Sequence, residues 1–465
     1  MERSCLLQGR SPMAAKTQFG SKIGLIAATV GSAVGLGNIW RFPAEAQANG
    51  GAAFLLIYIA CVALLGIPVM LAEFSLGRGT GRDAVGSFLK LAPRKKWWVG
   101  GAIATLASYL ILSFYLVVAG WTLEYFWQSI TGGLYEGVGA EGMEATFADR
   151  MGRYITGSWE PLLATYAIIA INVFVLMKGV QKGIEKMSNI MMPLLFLLLV
   201  FFCIAALTLP KAPEGLRYFF DPDFRKINAG TFVNALGQAF FSLSLGMGIL
   251  ITYSAYYPKK TNLVNTSVTV SALDLTVAIL MGIIIFPAVM SFGLDGESLE
   301  GATLVFVTLP EVFASMPFTR FWSALFFLLL LVAAVTSTIS LSEVSIAFVS
   351  DRFKLSRKKA CWVVMLPLVA LSSLCSLSQG PLSHIRLFHQ NIFDFLDTVA
   401  TNVMLPTAAI LTCLFLGWIA PKTFLRNELT NKRRINRHLS SFIIWVIRYA
   451  APVLIAVILV AKFLD

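Results

Sequence analysis

The sequence predicts an all-α polytopic membrane protein with about eleven transmembrane helices. Three observations predict it. Of 465 residues, 57% are apolar and 13% charged, against roughly 45–50% and about 25% in a soluble globular domain. Charges are almost absent from long blocks. The Lys and Arg residues gather in alternate connections between those blocks. Disorder, a disulfide scaffold, a fibrous repeat and an ordinary soluble enzyme are excluded by the same numbers.

A helix of about 20 apolar residues crosses the hydrocarbon core. Eleven such blocks occur, at 20–44, 51–77, 98–131, 159–177, 188–209, 230–257, 263–292, 319–350, 358–378, 388–418 and 440–463. They are continuous apolar runs rather than ten-residue alternations, which excludes a β-barrel. The chain divides into a polar tail at 1–19, a first five-helix group at 20–209, a second at 230–418 and an eleventh helix at 440–463. The tail carries no signal-type apolar core, and Met13 is a second candidate start. With the N-terminus inside, 26 of the 37 Lys and Arg lie on inner segments. That bias is positive-inside at every loop. It accounts for the net charge of +12 without nucleic acid, and the clusters read as solvated loops beside anionic lipid. The six Cys (5, 61, 203, 361, 375, 413) lack CxxC spacing and read as small buried residues. The three His (384, 389, 438) fall in loops, which disfavours a histidine metal site or proton relay.

Helix 1 reads IGLIAATVGSAVGLGNIWRFP, with Gly31, Gly35 and Gly37 at mid-membrane depth, followed by Asn38, Arg41 and Pro43. Helix 6 carries Gly246 and Gly248 beside Ser242 and Ser244. An interior Gly costs about 1 kcal/mol relative to Ala. Close helix packing through small residues explains one such pair. Two interrupted helices at corresponding places of two five-helix groups of opposite topology instead match an inverted repeat, with a binding site at the bilayer midplane. Unwound backbone there frees carbonyls for a small cation and half-helix N-termini for an anion. Helix 8 adds Thr336, Ser337, Thr338 and Ser340 at the same depth. Glu73, Asp274, Glu343, Asp394 and Asp397 are ionisable groups at depth, functional candidates by default. Asp274 has no Lys or Arg within two helical turns, so its charge needs a cation from elsewhere. Arg41 and Asp394, near the outer ends of helices 1 and 10, are placed to pair. In helix 5, Pro193 removes a backbone donor and Gly183 tolerates unusual angles, which makes the inner end of that helix easy to unwind.

The segments GSAVGLGNIWRFP (31–43), NGGAAF (49–54), IPVMLAEFSLGR (67–78), GQAFFSLSLGMG (237–248), VTSTIS (335–340) and KLSRKKA (354–360) closely resemble the neurotransmitter:sodium symporter family. The match runs from about 16 to about 420 and is nearest to the prokaryotic branch, the bacterial leucine and multi-hydrophobic amino acid transporters. The resemblance implies a 5+5 inverted repeat with unwound helices 1 and 6. It implies sodium-coupled import of neutral, hydrophobic or aromatic amino acids by alternating access, in the inner membrane of a prokaryote with the N-terminus cytoplasmic. One sodium site would use the Ala33 carbonyl, Asn38, Ser242, Asp274 and the substrate carboxylate. A second would use the carbonyls of Gly31, Val34 and Ala333 with the hydroxyls of Thr336 and Ser337. The substrate pocket would comprise Ser32, Ala33, Leu36, Gly37, Ile111, Tyr115, Phe241, Ser242, Ser244, Met247, Ser337 and Leu341. Tyr115 and Phe241 would form the outer lid, with Arg41, Asp394 and Gln238 above it. Lys16, Phe19, Tyr256, Glu343 and Asp351 would form the inner gate. The Gly183–Pro193 spacing is linked in such relatives to a water path toward the second sodium.

The chain also departs from the family's pattern. The helix 7 position that carries an anion-binding Ser or a Glu in relatives is Ala278, while Asp274 stands where many have Asn. Sodium without a chloride requirement is therefore expected. Phe19 replaces a usual Trp of the inner gate. Gly35 stands where monoamine transporters carry an Asp, so a neutral amino acid rather than an amine is expected. A proton-coupled permease of the same fold is the alternative, and two intact sodium-site patterns fit it poorly.

Overall fold

The computed structural model describes residues 18–137, 146–293, 301–431 and 437–464. Among them, nine unbroken helices are long and apolar enough to cross a membrane. These are α2 (Ala52–Thr80), α3 (Trp98–Thr131), α4 (Glu160–Met177), α5 (Val180–Leu207), α7 (Leu263–Phe292), α8 (Thr319–Phe353), α9 (Arg357–Leu377), α10 (Ile392–Ile419) and α11 (Leu439–Ala461). Two further spans are interrupted. Helix α1 consists of α1a (Lys22–Ala33) and α1b (Gly37–Ala48), bent by 57°. Helix α6 consists of α6a (Ala229–Ser242) and α6b (Ile249–Ser254). The architecture is the expected all-α bundle with breaks in the first and sixth spans.

Apolar side chains such as Leu197, Phe201, Trp362, Leu366 and Trp418 are exposed around the perimeter, where a bilayer is the solvent that matches them. Small and hydroxylated residues turn inward instead. The long helices α3 and α8 pack against each other at the centre. They form the scaffold against which the broken helices lie.

Local irregularities follow from proline. A π-helical turn at Val62–Gly66 in α2 runs into Pro68, and another at Thr398–Met404 in α10 runs into Pro406. A proline offers no N–H to the carbonyl one turn earlier, and a wider turn brings another donor within reach. Helix α5 starts at Val180, not at the expected 188, because a π-helical turn at Val180–Glu185 precedes the regular helix. Its first residues pack on the end of α4, where a Cβ at Gly183 would overlap the Val175 carbonyl. Pro193 sits inside an otherwise continuous helix. The five described Cys are free, and all but half-buried Cys61 are buried. His438 falls in the helical segment Arg437–Trp445 rather than in a loop.

Candidate functional site

The breaks in α1 and α6 face each other across the middle of the bundle. At Val34 the backbone turns extended, with φ −71° and ψ 106°. In α6, Ser244, Gly246 and Gly248 all have positive φ, at 54°, 77° and 71°. The freed backbone groups are met by side chains, as membrane depth demands. The Gly246 N–H donates to Glu73 Oε1 at 2.7 Å, and Ser108 donates to the Met247 carbonyl. Ser244 Oγ donates to the Ser32 carbonyl at 2.7 Å, which ties one break to the other.

One polar cluster lies beside the α1 break. Asn38 Nδ2 donates to Ser242 Oγ at 2.9 Å and to Asp274 Oδ1 at 2.9 Å, and Ser242 Oγ donates to Asp274 Oδ2 at 2.7 Å. Asp274 is fully buried and forms no ion pair among the described residues. A buried carboxylate without a cation is costly, so this donor set suits a hard monovalent cation carried as cargo. Tyr58, which the sequence did not single out, donates to Asp274 Oδ2 at 3.4 Å. Its ring is packed between Phe42 and Phe54. Only the fold brings α2 to this carboxylate.

The second set also comes together. Ser337 Oγ reaches the Val34 carbonyl at 3.4 Å, and Thr336 Oγ1 reaches the Ala333 carbonyl at 2.9 Å. A Cβ at Gly31 would sit 3.3 Å from Thr336 Cβ and 3.1 Å from Met192 Sδ of α5. The carbonyls of the α1 break therefore abut the hydroxyl stripe of α8.

A cavity of about 30 Å³ lies between these clusters. Its walls hold Ser32, Ala33, Gly37, Ile111, Tyr115, Phe241, Ser242, Ser244, Met247, Ser337 and Leu341, together with Gly35, Asn38 and Ile249. Leu36 does not line it. Its side of the helix turns to the space above, and its N–H donates to Tyr115 Oη at 3.1 Å. The cavity is tight because Phe241 lies on Gly37, where a Cβ would approach the ring to 2.7 Å. At Gly35 a Cβ would come within 2.9 Å of Ser337 Oγ and 3.0 Å of Tyr115 Oη. No side chain from that position enters the pocket.

Above Phe241 opens a vestibule of about 640 Å³, lined among others by Arg41, Glu45, Phe114, Phe393, Asp397 and Thr401. Arg41 lies 5.2 Å over the Phe241 ring and 3.8 Å from Glu45. The expected pairing of Arg41 with Asp394 is not formed. Asp394 is exposed and locked in the first turn of α10, with its N–H and carboxylate bonded to Asn391 at 2.9 and 2.7 Å. Asp397, three residues on, faces the vestibule instead. Gln238, the other residue expected above the lid, lies one helical turn before Phe241 in α6a. It is fully buried and donates to the Gly37 carbonyl at 3.1 Å.

The opposite end, which carries the basic connections, is sealed. Phe19 is buried among Tyr253, Tyr256 and Tyr257, with ring centroids 6.0, 6.3 and 6.1 Å away. Tyr256 Oη donates to Glu343 at 2.7 Å, and Arg357 forks onto the same carboxylate at 2.9 and 2.6 Å. Arg357 lies in the KLSRKKA motif, yet it was not expected as a gate residue. Asp351 lines a further cavity at this end, with Arg82, Lys90 and Arg352. Lys16 lies outside the described residues.

Two facing helix breaks around a closed central cavity, with a vestibule at one end and a sealed aromatic–ionic plug at the other, define a secondary transporter. The chain belongs to the sodium:neurotransmitter symporter family, whose sequence model matches residues 16–137 and 150–465. It is 37% identical over 441 residues to the uncharacterized sodium-dependent transporter YhdH of Bacillus subtilis, covering 95% of this chain and 96% of that one. A sodium-dependent transporter of Methanocaldococcus jannaschii is 35% identical, with 97% of this chain and 90% of the other covered. The crystal structure of MhsT in complex with L-phenylalanine superposes with a TM-score of 0.86 at 41% identity, covering 97% of this chain and all of that one. The protein is therefore a multi-pass, sodium-dependent membrane transporter of a small molecule, and not an enzyme.

Proposed function

We propose that this transporter imports neutral amino acids with hydrophobic or aromatic side chains, coupled to two sodium ions and without chloride. The observation that carries the substrate class is the cavity wall: Ile111, Phe241, Met247 and Leu341 are apolar, and Gly35 supplies no carboxylate to pair an amine. Met247 is flexible and polarisable, and suits an aromatic ring. The resemblance to MhsT, solved with L-phenylalanine, supports the same class.

The substrate carboxylate completes the site of Ala33, Asn38, Ser242 and Asp274, so substrate and the first sodium raise each other's affinity equally. The second sodium, held by Gly31, Val34, Ala333, Thr336 and Ser337, joins α1a to α8 and favours the closed basic end. Ala278 offers no anion ligand, and Asp274 supplies the fixed negative charge in place of chloride. The basic face is cytoplasmic by the distribution of Lys and Arg, in the inner membrane of a prokaryote. The groups 20–209 and 230–418 are the two repeats, and each contributes one broken helix to the site. The form described above then has its basic end closed and its lid lowered onto the central cavity. Unwinding of α5 between Gly183 and Pro193 hydrates the second sodium from inside, and its loss frees α1a.

Uptake of labelled phenylalanine into proteoliposomes tests the reading, with sodium chloride, sodium gluconate and choline chloride outside and the common amino acids as competitors. Uptake in both sodium salts, none in choline, and competition by Trp, Tyr, Leu and Met over Gly and Glu are expected. Uptake that persists in choline, or that is lost in gluconate, overturns the coupling. Preference for Gly, Glu or tryptamine overturns the substrate class.

A further inference from the structure

Helix α5 begins with a π-helical turn, Val180–Glu185, that follows Gly179 at φ 91°. Glu185 in this turn is 6% exposed and forms no ion pair among the described residues. Its carboxylate is turned to the start of α1a instead. Oε2 accepts the Gly20 N–H at 2.7 Å, and Oε1 accepts the Ser21 N–H at 3.0 Å and the Ser21 hydroxyl at 2.8 Å. Ser21 is the N-cap of α1a, its Oγ accepting from the Gly24 N–H at 2.9 Å. Gln181, from the same π turn, donates to the Gln18 carbonyl at 2.6 Å. The fit is close: a Cβ at Gly24 would overlap the Glu185 side chain.

The first N–H groups of a helix have no partner within it, and its N-terminus carries partial positive charge. A carboxylate from another helix that accepts three donors there forms charge-assisted bonds, about twice as strong as neutral ones. The capping residue of α1a, Ser21, is therefore itself held by α5, through the turn that Gly183 also occupies. Glu185 contacts neither the central cavity nor either proposed sodium set. The mechanism above leaves this buried charge unused.

We propose that Glu185 is a clasp: it holds α1a shut on the basic face, and α1a is released when the first turn of α5 withdraws the carboxylate. The inference rests on the alternating-access reading, in which α1a swings to open that face. Glu185 is a positioning residue that acts through α1a. Winding of α5 and docking of α1a are then one event, because the donors and the acceptors sit on the two elements that must part.

Hydrogen–deuterium exchange on the full-length protein, in sodium and in potassium, tests the clasp beside sodium titrations of phenylalanine binding. The exchange arm needs no substrate. Wild-type protein that fails to bind any amino acid overturns the substrate reading while the clasp is still judged. In Glu185→Ala the amides of 20–30 exchange about tenfold faster in sodium, the loss expected for a hydrogen bond to a charged group. The sodium needed for half-maximal binding rises by a similar factor, while protection of α3 and α8 is unchanged. Glu185→Gln keeps one acceptor oxygen and falls between. Gly24→Ala displaces the carboxylate and reproduces the Glu185→Ala pattern with Glu185 present. Exchange of 20–30 within twofold of wild type in both Glu185→Ala and Gly24→Ala overturns the proposal. Where Glu185→Ala loses protection in every helix, Gly24→Ala decides, and a wild-type pattern there overturns the clasp equally.

Discussion

The two ends of the translocation path are closed by different chemistry. At the vestibule end the barrier is two aromatic rings, Tyr115 and Phe241, which line both the cavity and the vestibule. Phe241 rests on Gly37, with Arg41 5.2 Å above it and 3.8 Å from a half-buried Glu45. At the basic end the barrier is four aromatic rings, the Tyr256–Glu343–Arg357 fork and the Thr29–Tyr257 hydroxyl pair at 2.6 Å. A partly hydrated cation–π contact is worth about 0.5–1 kcal/mol, and an exposed ion pair about 0–1 kcal/mol. Removing one partner of a buried pair costs about 3–5 kcal/mol. The vestibule end therefore opens and closes readily, whereas the basic end opens only when something compensates for its broken bonds. Loss of the second sodium and withdrawal of α5 are proposed to remove two of the ties that hold it closed, which lowers what remains to be offset.

The largest effect is expected from breaking the tight end. Arg357→Ala leaves Glu343, which is fully buried, without a cation. It should cut sodium-dependent phenylalanine binding by about a hundredfold and raise hydrogen exchange across Tyr253–Tyr257. Adding Glu343→Gln should restore most of both, which a simple folding defect would not allow.

Asp274→Asn acts midway between the ends. It removes the fixed charge of the first cation set, and the sodium needed for half-maximal binding should rise tenfold or more, an effect of about 1.4 kcal/mol. Tyr58→Phe removes only one donor from that carboxylate and should raise it about threefold. An unchanged sodium titration in Asp274→Asn would take the residue out of the site.

A smaller effect is expected at the lid. Tyr115→Phe leaves the Leu36 N–H without its acceptor and should weaken substrate binding about fivefold, an effect of about 1 kcal/mol, chiefly through faster dissociation. Stopped-flow release of labelled phenylalanine checks it.

The smallest effects sharpen the comparison. Asp394→Asn should change uptake by less than about twofold, since its carboxylate is exposed and engaged only with Asn391. Asp397→Asn should change it more, because that carboxylate shares the vestibule with Arg41. Equal effects of the two would return Asp394 to the vestibule gate.

Much of this was legible before any coordinates. The spans followed from uninterrupted apolar length, and the breaks from glycines clustered at a depth where glycine needs a reason. Eleven of the twelve pocket residues that the family resemblance implied line the cavity. The Asp394 assignment failed for a geometric reason. Residues three apart on a helix share a face only approximately, and α10, packed against α3, turns Asp397, not Asp394, to the vestibule. The apolar block of α5 was bounded at 188 because Gln181, Lys182, Glu185 and Lys186 are polar, whereas two of them serve as anchors for the start of α1a.

By itself the sequence determined the all-α class, the positive-inside charge bias, the interruptions at Gly31–Gly37 and Gly246–Gly248, and the presence of a buried acid at 274. All of these are properties of single segments measured against the thickness and dielectric of a bilayer. The tertiary structure decided which partner each polar group meets: Tyr58 with Asp274, Arg357 with Glu343, Gln238 with Gly37, and Glu185 with Gly20 and Ser21. Those pairs join segments from 14 to more than 200 residues apart. Helical periodicity sets the face on which a side chain stands, but only the packing of neighbouring helices sets what that face touches.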